Sequence, residues 1–192
     1  LAMVPVGGLW VDAGANIGNH ALPFALSADL VICFEPMGMN TTLLRRNAIE
    51  NDLSERILCL ELGVGARSSA MHAVPGGTGK NCQWELRSDG APSTAPRVVV
   101  VAIDSVIPDK AEVRLMKLDV EGMEAEAIAG AWATIERCKP ELFIEIWNDD
   151  ELARIRATLA GLGYILIERW NHAPTYHFSA SGRYPVTYTQ PV

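Results

Sequence analysis

The chain has 192 residues, of which 49% are hydrophobic and 20% are charged, and this is enough to bury one sizeable core in a single domain. Its formal net charge of -7 disfavours a nucleic-acid backbone as the main partner, because phosphate binding depends on clustered Lys and Arg. No apolar run approaches the roughly 18 residues of a membrane span, so we expect a soluble cytoplasmic protein. The chain begins at Leu1, close to its first predicted strand, so a further segment before Leu1 is one of the alternatives.

Apolar, β-rich runs alternate with helix-like segments, a pattern that predicts parallel strands joined by crossover helices in a doubly wound α/β fold. One domain is expected over 1–192. Residues 66–96 interrupt the pattern with glycines and prolines and predict a hairpin and loop insertion. The predicted strands are 9–13, 30–34, 56–62, 97–103, 113–118, 141–146, 164–168 and 175–179, and the predicted helices are 17–27, 40–51, 123–137 and 150–162.

A glycine-bearing turn lies between the first strand and the first helix, where open α/β folds bind nucleotides. A dinucleotide fingerprint that starts at Gly14 needs glycines at the positions of Asn16 and Asn19, so the pyrophosphate cradle is missing. Polar side chains such as Asp12 and Asn16, together with backbone N–H groups, suit a cofactor with an aminoacyl end. A tight turn with a purely structural role is the alternative.

Acidic residues follow two of the apolar strands. Glu35 comes directly after strand 30–34 and lies 21 residues past Gly14, the spacing at which a carboxylate accepts the ribose hydroxyl protons of an adenosine-type cofactor, and we expect it at the rim of the site. Asp119 and Glu121 follow strand 113–118 and should face the crevice at the carboxyl ends of the strands. The alternative for this pair is capping of the next helix, with Glu121 favoured as the cap.

Several of these motifs occur together in one known family. The sequence resembles the FkbM-type methyltransferases over roughly residues 9–147. The matching segments are V-D-A-G-A-N-I-G from Val11, F-E-P from Phe34 with Asn40, Leu44, Asn47 and Asn51, K-L-D-V-E-G from Lys117 with Glu124, Gly130 and Ala131, and K-P-E from Lys139 with Glu145.

The resemblance implies a Rossmann-like, mostly parallel sheet of seven strands, S-adenosylmethionine as methyl donor, and methyl transfer to a hydroxyl of a sugar, polyketide or other small molecule. It implies an active-site face at Asp119 and Glu121. It also implies cofactor contacts, which fall at Asp12, Gly14, Asn16, Gly18 and Glu35. The acceptor and the oligomeric state are not indicated.

Other functions are weighed against this one. Asn16 and Asn19 argue against an NAD-dependent oxidoreductase. A non-catalytic cofactor-binding module with the same fold is a second alternative. The widely spaced cysteines form no C-x-x-C pair and disfavour a zinc site. A magnesium-assisted mechanism would use oxygen ligands at neighbouring strand ends. These ligands would come from Asp119, Glu145 and Asn148.

The sequence offers several candidates for the base that removes the proton of the acceptor hydroxyl. Asp119 is preferred over Glu121 because it is the first residue past the strand and should point into the crevice. His20, beside the cofactor turn, and His72 are the next candidates. The aromatic residues Trp147, Trp170, Tyr176 and Tyr184 are candidates for the acceptor pocket, although core packing is the preferred interpretation.

Overall fold

The apolar runs of the sequence form strands that are buried on both faces. In strands Leu9–Ala13 and Leu30–Phe34 every residue after the first is buried, without the in-and-out alternation of a half-exposed strand. Continuous burial of this kind is typical of a parallel sheet covered by helices on both sides. The structure is a computed structural model that describes residues 5–75, 84–170, 173–180 and 182.

The elements follow the predicted alternation of strand and helix. The strands are β1 (Leu9–Ala13), β2 (Leu30–Phe34), β3 (Ile57–Leu60), β4 (Gly63–Val64), β5 (Ser69–Pro75), β6 (Trp84–Arg87), β7 (Arg97–Val101), β8 (Val113–Leu118), β9 (Glu141–Glu145), β10 (Ile165–Trp170) and β11 (Thr175–Ser179). The α-helices are α1 (Ala21–Ala25), α2 (Gly38–Glu50), α3 (Glu124–Gly130), α4 (Trp132–Cys138) and α5 (Asp149–Ala160).

Seven strands form the main sheet in the order β10-β11-β9-β8-β1-β2-β3. The five strands from β9 to β3 are parallel, and β11 is antiparallel to both of its neighbours. The predicted seven-stranded, mostly parallel sheet is therefore confirmed. The chain runs outward from β1 to β3 on one side and from β8 to β9 on the other. The crevice of an open α/β sheet lies at such a reversal, outside the carboxyl ends of β1 and β8.

The segment predicted as an insertion forms part of a second sheet. β5 and β6 pair antiparallel as the expected hairpin, and β7 and β4 complete a four-stranded sheet in the order β4-β7-β5-β6. Residues 76–83, which join the two hairpin strands, lie outside the described residues. The hairpin matters for the site because its second strand, β6, reaches the crevice.

Two helices are shorter than predicted. The helix expected over 17–27 has five residues, α1, because the left-handed backbone of Gly18, with a φ of 100°, continues the turn after β1. The helix expected over 123–137 is divided at Ala131 into α3 and α4. At this division the carboxylate of Asp104 accepts hydrogen bonds from the backbone N–H groups of Ala133 and Thr134, at 2.9 Å each.

In the described part of the chain, no helix combines the length and the apolar character that crossing a membrane requires.

Candidate active site

The turn after β1 is held against both neighbouring strands. The backbone N–H groups of Gly14 and Ala15 donate to the carbonyl of Phe34 at 2.9 and 3.1 Å, and the N–H of Asp119 donates to the carbonyl of Ala13 at 3.1 Å. Gly14 has a φ of 79°, and a Cβ atom at this position would lie 1.7 Å from the carbonyl oxygen of Asp119. Only glycine fits here, because the ends of β1 and β8 approach each other closely.

The turn continues through two further left-handed positions. Asn16 has a φ of 49° and an exposed side chain, and its N–H donates to Oε2 of Glu35 at 3.0 Å. A Cβ atom on Gly18 would lie 3.0 Å from the side chain of Leu22 and 3.3 Å from that of Leu44. Gly18 therefore shapes the turn from behind, whereas Gly14 and Asn16 line the cavity in front of it.

Glu35 holds together the loops after β1 and β2. Besides the bond from Asn16, its Oε1 accepts hydrogen bonds from the N–H of Met37 at 3.0 Å and from Nδ2 of Asn40 at 3.1 Å. Only 5% of the residue is exposed, so the expectation of a carboxylate at the rim is wrong. Burial raises the pKa of Glu35 above its ordinary value, against the three hydrogen bonds, and the charge of Asp12 adds to the rise.

The side chain of Lys117 lies between two carboxylates. Its Nζ is 3.4 Å from Oδ1 of Asp12 and 2.9 Å from Oδ2 of Asp119, and only 7% of its side chain is exposed. Burial acts to lower the pKa of Lys117, but the two carboxylates outweigh this and raise it. Asp12 is fully buried and does not line the cavity. The sequence motif contained Lys117, but no role was predicted for it.

The carboxyl groups of Asp119 and Glu145 are hydrogen-bonded to each other. Burial acts to raise the pKa of Asp119, but Lys117 and the bond to Glu145 bring it below its ordinary value. Burial raises the pKa of Glu145 to about 7, and the bond to Asp119 and its negative charge act in the same direction. Below a pH of about 7 the pair therefore holds one proton, on Glu145, which leaves Asp119 ionised.

The loop after β8 is held by a residue that received no individual role from the sequence. The carboxylate of Glu124 accepts hydrogen bonds from the N–H groups of Val120 at 2.9 Å and Gly122 at 3.1 Å. Mainly because of burial, the pKa of Glu124 rises to about 7. Glu121 has a φ of 55° within this loop. Glu124 thus holds the loop that precedes α3, whereas the N-cap of this helix is Met123, with no side-chain capping bond.

One cavity brings most of the predicted site residues together at the switch point between β1 and β8. The residues that line it include Gly14, Asn16 and Glu35 together with Asp119 and Glu121. His20, which was predicted from its place beside the turn, also lines the cavity, and burial followed by the charge of Lys117 lowers its pKa. The remaining lining is partly apolar, from Phe34, Pro36, Leu62, Val64, Trp84 and Leu86.

Two residues that were considered for the site, His72 and Asn148, make other contacts. His72 lies on β5, where its Nδ1 is 3.3 Å from the carbonyl oxygen of Ala95, and it does not line this cavity. Oδ1 of Asn148 accepts a hydrogen bond from the N–H of Glu151 at 2.8 Å and caps α5. Over residues 5–75, 84–170 and 173–180, no group of three His, Cys, Asp or Glu side chains is arranged to hold a metal ion.

Several solved structures are similar to this chain. A methyltransferase FkbM from Methylobacillus flagellatus KT has a TM-score of 0.67 and 21% identity, and the match covers 93% of this chain but only 45% of that one. A putative methyltransferase from Streptococcus mutans, solved in complex with SAH, has a TM-score of 0.55 and 11% identity, over 91% of this chain and 88% of that chain. A putative rRNA methylase from Clostridium thermocellum has a TM-score of 0.54 and 15% identity, over 91% and 87% of the two chains.

At these identities the structural similarities show the fold. No curated protein matches the sequence. The sequence model of the Methyltransferase FkbM domain, however, matches residues 12–166, which extend from within β1 into β10. This range includes every residue predicted for the site, so the resemblance seen in the separate motifs is confirmed along most of the chain. The chain belongs to the Methyltransferase FkbM domain family.

Proposed function

We propose that this chain is an S-adenosylmethionine-dependent methyltransferase that transfers a methyl group to a hydroxyl oxygen of a small molecule. The observation that carries the proposal is the shared cavity, in which the glycine turn and Glu35 meet Asp119 and Glu121. Membership in the FkbM family supports the reaction class, and neither an oxidoreductase nor a non-catalytic module is favoured by it.

The turn and Glu35 fit the ribose and aminoacyl parts of the cofactor. An ionised carboxylate accepts about four hydrogen bonds, and the loops supply three to Glu35, so capacity is left for a ribose hydroxyl. The turn residues Gly14 and Ala15 line the cavity beside Glu35. The exposed side chains of Asn16 and Asn19 line the same cavity and suit the carboxylate and ammonium of an aminoacyl end.

The apolar part of the lining fits a purine ring. Pro36, Leu62 and Val64 lie on the side of the cavity nearest the ends of β2, β3 and β4, and Trp84 and Leu86 reach it from the hairpin strand β6. Flat apolar ligand groups bind in pockets that are lined mainly by apolar and aromatic side chains. We assign this surface to the adenine ring.

Asp119 is the group that would remove the acceptor proton. Lys117 and Glu145 keep its carboxyl ionised near neutral pH, as a proton acceptor requires. When bound, S-adenosylmethionine supplies a methyl group that is already activated by its positive sulfur. The residues around the cavity then have to hold the hydroxyl oxygen close and aligned in a site shielded from water. Asp12 contributes through its ion pair with Lys117, which holds the positive charge of Lys117 beside Asp119.

A small neutral acceptor fits the charge of the site. The charged residues that line the cavity among the described ones are Glu35, Asp119 and Glu121, and the chain as a whole carries a net charge of -7. These carboxylates repel phosphate groups, and a nucleic acid is therefore not proposed as the substrate.

Transfer of a radiolabelled methyl group tests the proposal. The protein is incubated with methyl-tritiated S-adenosylmethionine and a panel of sugars, polyols, hydroxylated aromatic compounds and primary amines. We expect label in a base-stable ether of one hydroxyl compound, and no label with Asp119→Asn. Label in an amine would contradict O-methylation. Reduction of NAD by an alcohol of the panel, without label transfer, would favour the oxidoreductase.

A further inference from the structure

Asp119 and Glu145 lie side by side at the ends of two neighbouring parallel strands. Leu118 of β8 pairs with Ile144 of β9, and each acidic residue is the next one along its strand. Their carboxyl groups are hydrogen-bonded to each other. A hydrogen bond between two carboxyl groups requires that one of them carry a proton, since two carboxylates have only acceptors.

The surrounding charges decide which group carries this proton. Nζ of Lys117 is 2.9 Å from Oδ2 of Asp119, which stabilises a negative charge on Asp119. Glu145 instead faces Nε1 of Trp147 at 3.0 Å, and the negative charge of Glu121 acts on it. His20 is a further titratable neighbour, and its charge acts on Asp119. The proton is therefore more stable on Glu145.

Trp147 fixes the position of Glu145. Trp147 is 51% exposed, and yet its indole N–H donates to Oε2 of Glu145 at 3.0 Å. Backbone pairing of Glu145 with Thr175 of β11 holds the other side of this strand end. The hydrogen bond from Trp147 orients the carboxyl of Glu145, and the strand pairing fixes its backbone.

We propose that Glu145 is a positioning residue for methyl transfer: it holds the proton of the carboxyl pair and keeps the ionised oxygen of Asp119 directed at the acceptor hydroxyl. This inference rests on the proposed function. In the step, the acceptor oxygen bonds to the methyl carbon while the sulfur–methyl bond breaks and leaves its electron pair on the sulfur. The hydroxyl proton passes to Asp119, and the pair then releases one proton to solvent.

The arrangement makes the site sensitive to pH. Because the pKa of Glu145 is about 7, the donor that orients Asp119 is present below this pH and is lost above it. Two adjacent negative charges then repel each other. We expect turnover to fall as the pH rises through about 7 in the wild type, and to lose this fall in Glu145→Gln, whose amide donates at every pH.

Carbon NMR of carboxyl groups in glutamate-labelled protein tests the pair without an acceptor. We expect two signals with midpoints of about 7, from Glu124 and Glu145. One should disappear in Glu145→Gln, and the same one should move toward the ordinary value of 4.5 in Asp119→Asn. The other should change only in Glu124→Gln, which serves as the control. A Glu145 midpoint that is unchanged by Asp119→Asn would overturn the proposal.

Two further measurements separate this inference from the proposed function. Calorimetry with S-adenosylmethionine shows whether the cofactor binds, and a lack of binding removes the proposed function while the NMR coupling stands. With the hydroxyl compound that accepts label, Glu145→Ala should turn over about tenfold more slowly than Glu145→Gln at pH 6, with equal melting temperatures. Equal turnover of these two variants would show that Glu145 does not position Asp119.

Discussion

At the scale of single residues, Gly14 shows how one position serves both the fold and the site. The sequence indicated a glycine-bearing turn, and the structure adds the physical reason for it, which is the carbonyl of Asp119 directly in front of Gly14. This contact joins residues far apart in the chain and depends on β1 and β8 being neighbours. The position of Gly14 was therefore predictable from the sequence, whereas the atom that excludes a side chain was not.

Gly14→Ala should lower both stability and cofactor binding, because the new methyl group would push the end of β8 away. Steric overlap and the left-handed backbone together should cost about 3 kcal/mol of unfolding free energy. Gly122→Ala is the matched control, since Gly122 has a φ of 93° but no atom within 4 Å of the place that a methyl group would take, and should cost about 1 kcal/mol. Urea unfolding measures both, and equal losses would contradict the steric role of Gly14.

Asp119→Asn and Glu121→Gln separate a proton acceptor from a loop residue. Asp119→Asn should lower turnover by about 10²–10⁴-fold with little change in cofactor affinity, because an amide cannot take the acceptor proton. Glu121→Gln should have the smaller effect, since the hydrogen-bonded neighbours of Asp119 stay in place. Initial rates of label transfer provide the comparison. A larger loss in Glu121→Gln would reverse the two roles, and wild-type rates in both variants would direct attention to His20.

At the scale of elements, strands were easier to predict than helices. The predicted bounds of β1, β2, β8 and β11 agree with the structure, because turns and polar residues interrupt the apolar runs on both sides. The division between α3 and α4 was missed, since the run of small residues continues through Ala131. The cause lies in Asp104, which binds the first turn of α4 from about thirty residues earlier in the chain.

Asp104→Ala should destabilise the protein by about 1–2 kcal/mol, because the first N–H groups of α4 lose their acceptor. Asp109→Ala is the control, since Asp109 is an exposed residue of the same connection, and it should leave the urea midpoint unchanged. Cofactor affinity should stay at the wild-type level in both variants, because neither residue lines the cavity. A midpoint for Asp104→Ala equal to that of Asp109→Ala would show that the break has another cause.

At the scale of the whole molecule, the reversal of strand order between β1 and β8 creates the site. The sequence motifs at residues 12–18, 35 and 119–121 were enough to predict which strand ends carry the chemistry. They did not show that Asp12 is buried, that Lys117 lies between two carboxylates, or that Glu145 bonds to Asp119. These relations depend on the lateral order of the strands, which local patterns do not contain.

Stability should fall as the pH rises from 4.5 to about 7. The folded chain raises the pKa of Glu124 and Glu145 from 4.5 to about 7, so in this range it binds more protons than the unfolded chain. The lowered pKa of His20 acts in the opposite direction. Melting curves of the wild type and Glu124→Gln are compared at pH 5 and pH 7.5. Because both proteins contain His20, its contribution to the pH dependence cancels in the comparison. Glu124→Gln should show the smaller loss, and an equal or larger loss would contradict the buried, protonated Glu124.

The central claim is that the cavity between β1 and β8 binds S-adenosylmethionine through Glu35, and calorimetric titration with S-adenosylhomocysteine tests it most directly. The wild type should bind with a micromolar Kd. Glu35→Gln should weaken binding by about 1–3 kcal/mol, while Glu61→Gln, a carboxylate that follows β3 outside the cavity lining, should bind like the wild type. Melting curves confirm that both variants are folded. Tighter binding of NAD than of S-adenosylhomocysteine, or an unchanged Kd in Glu35→Gln, would contradict the account.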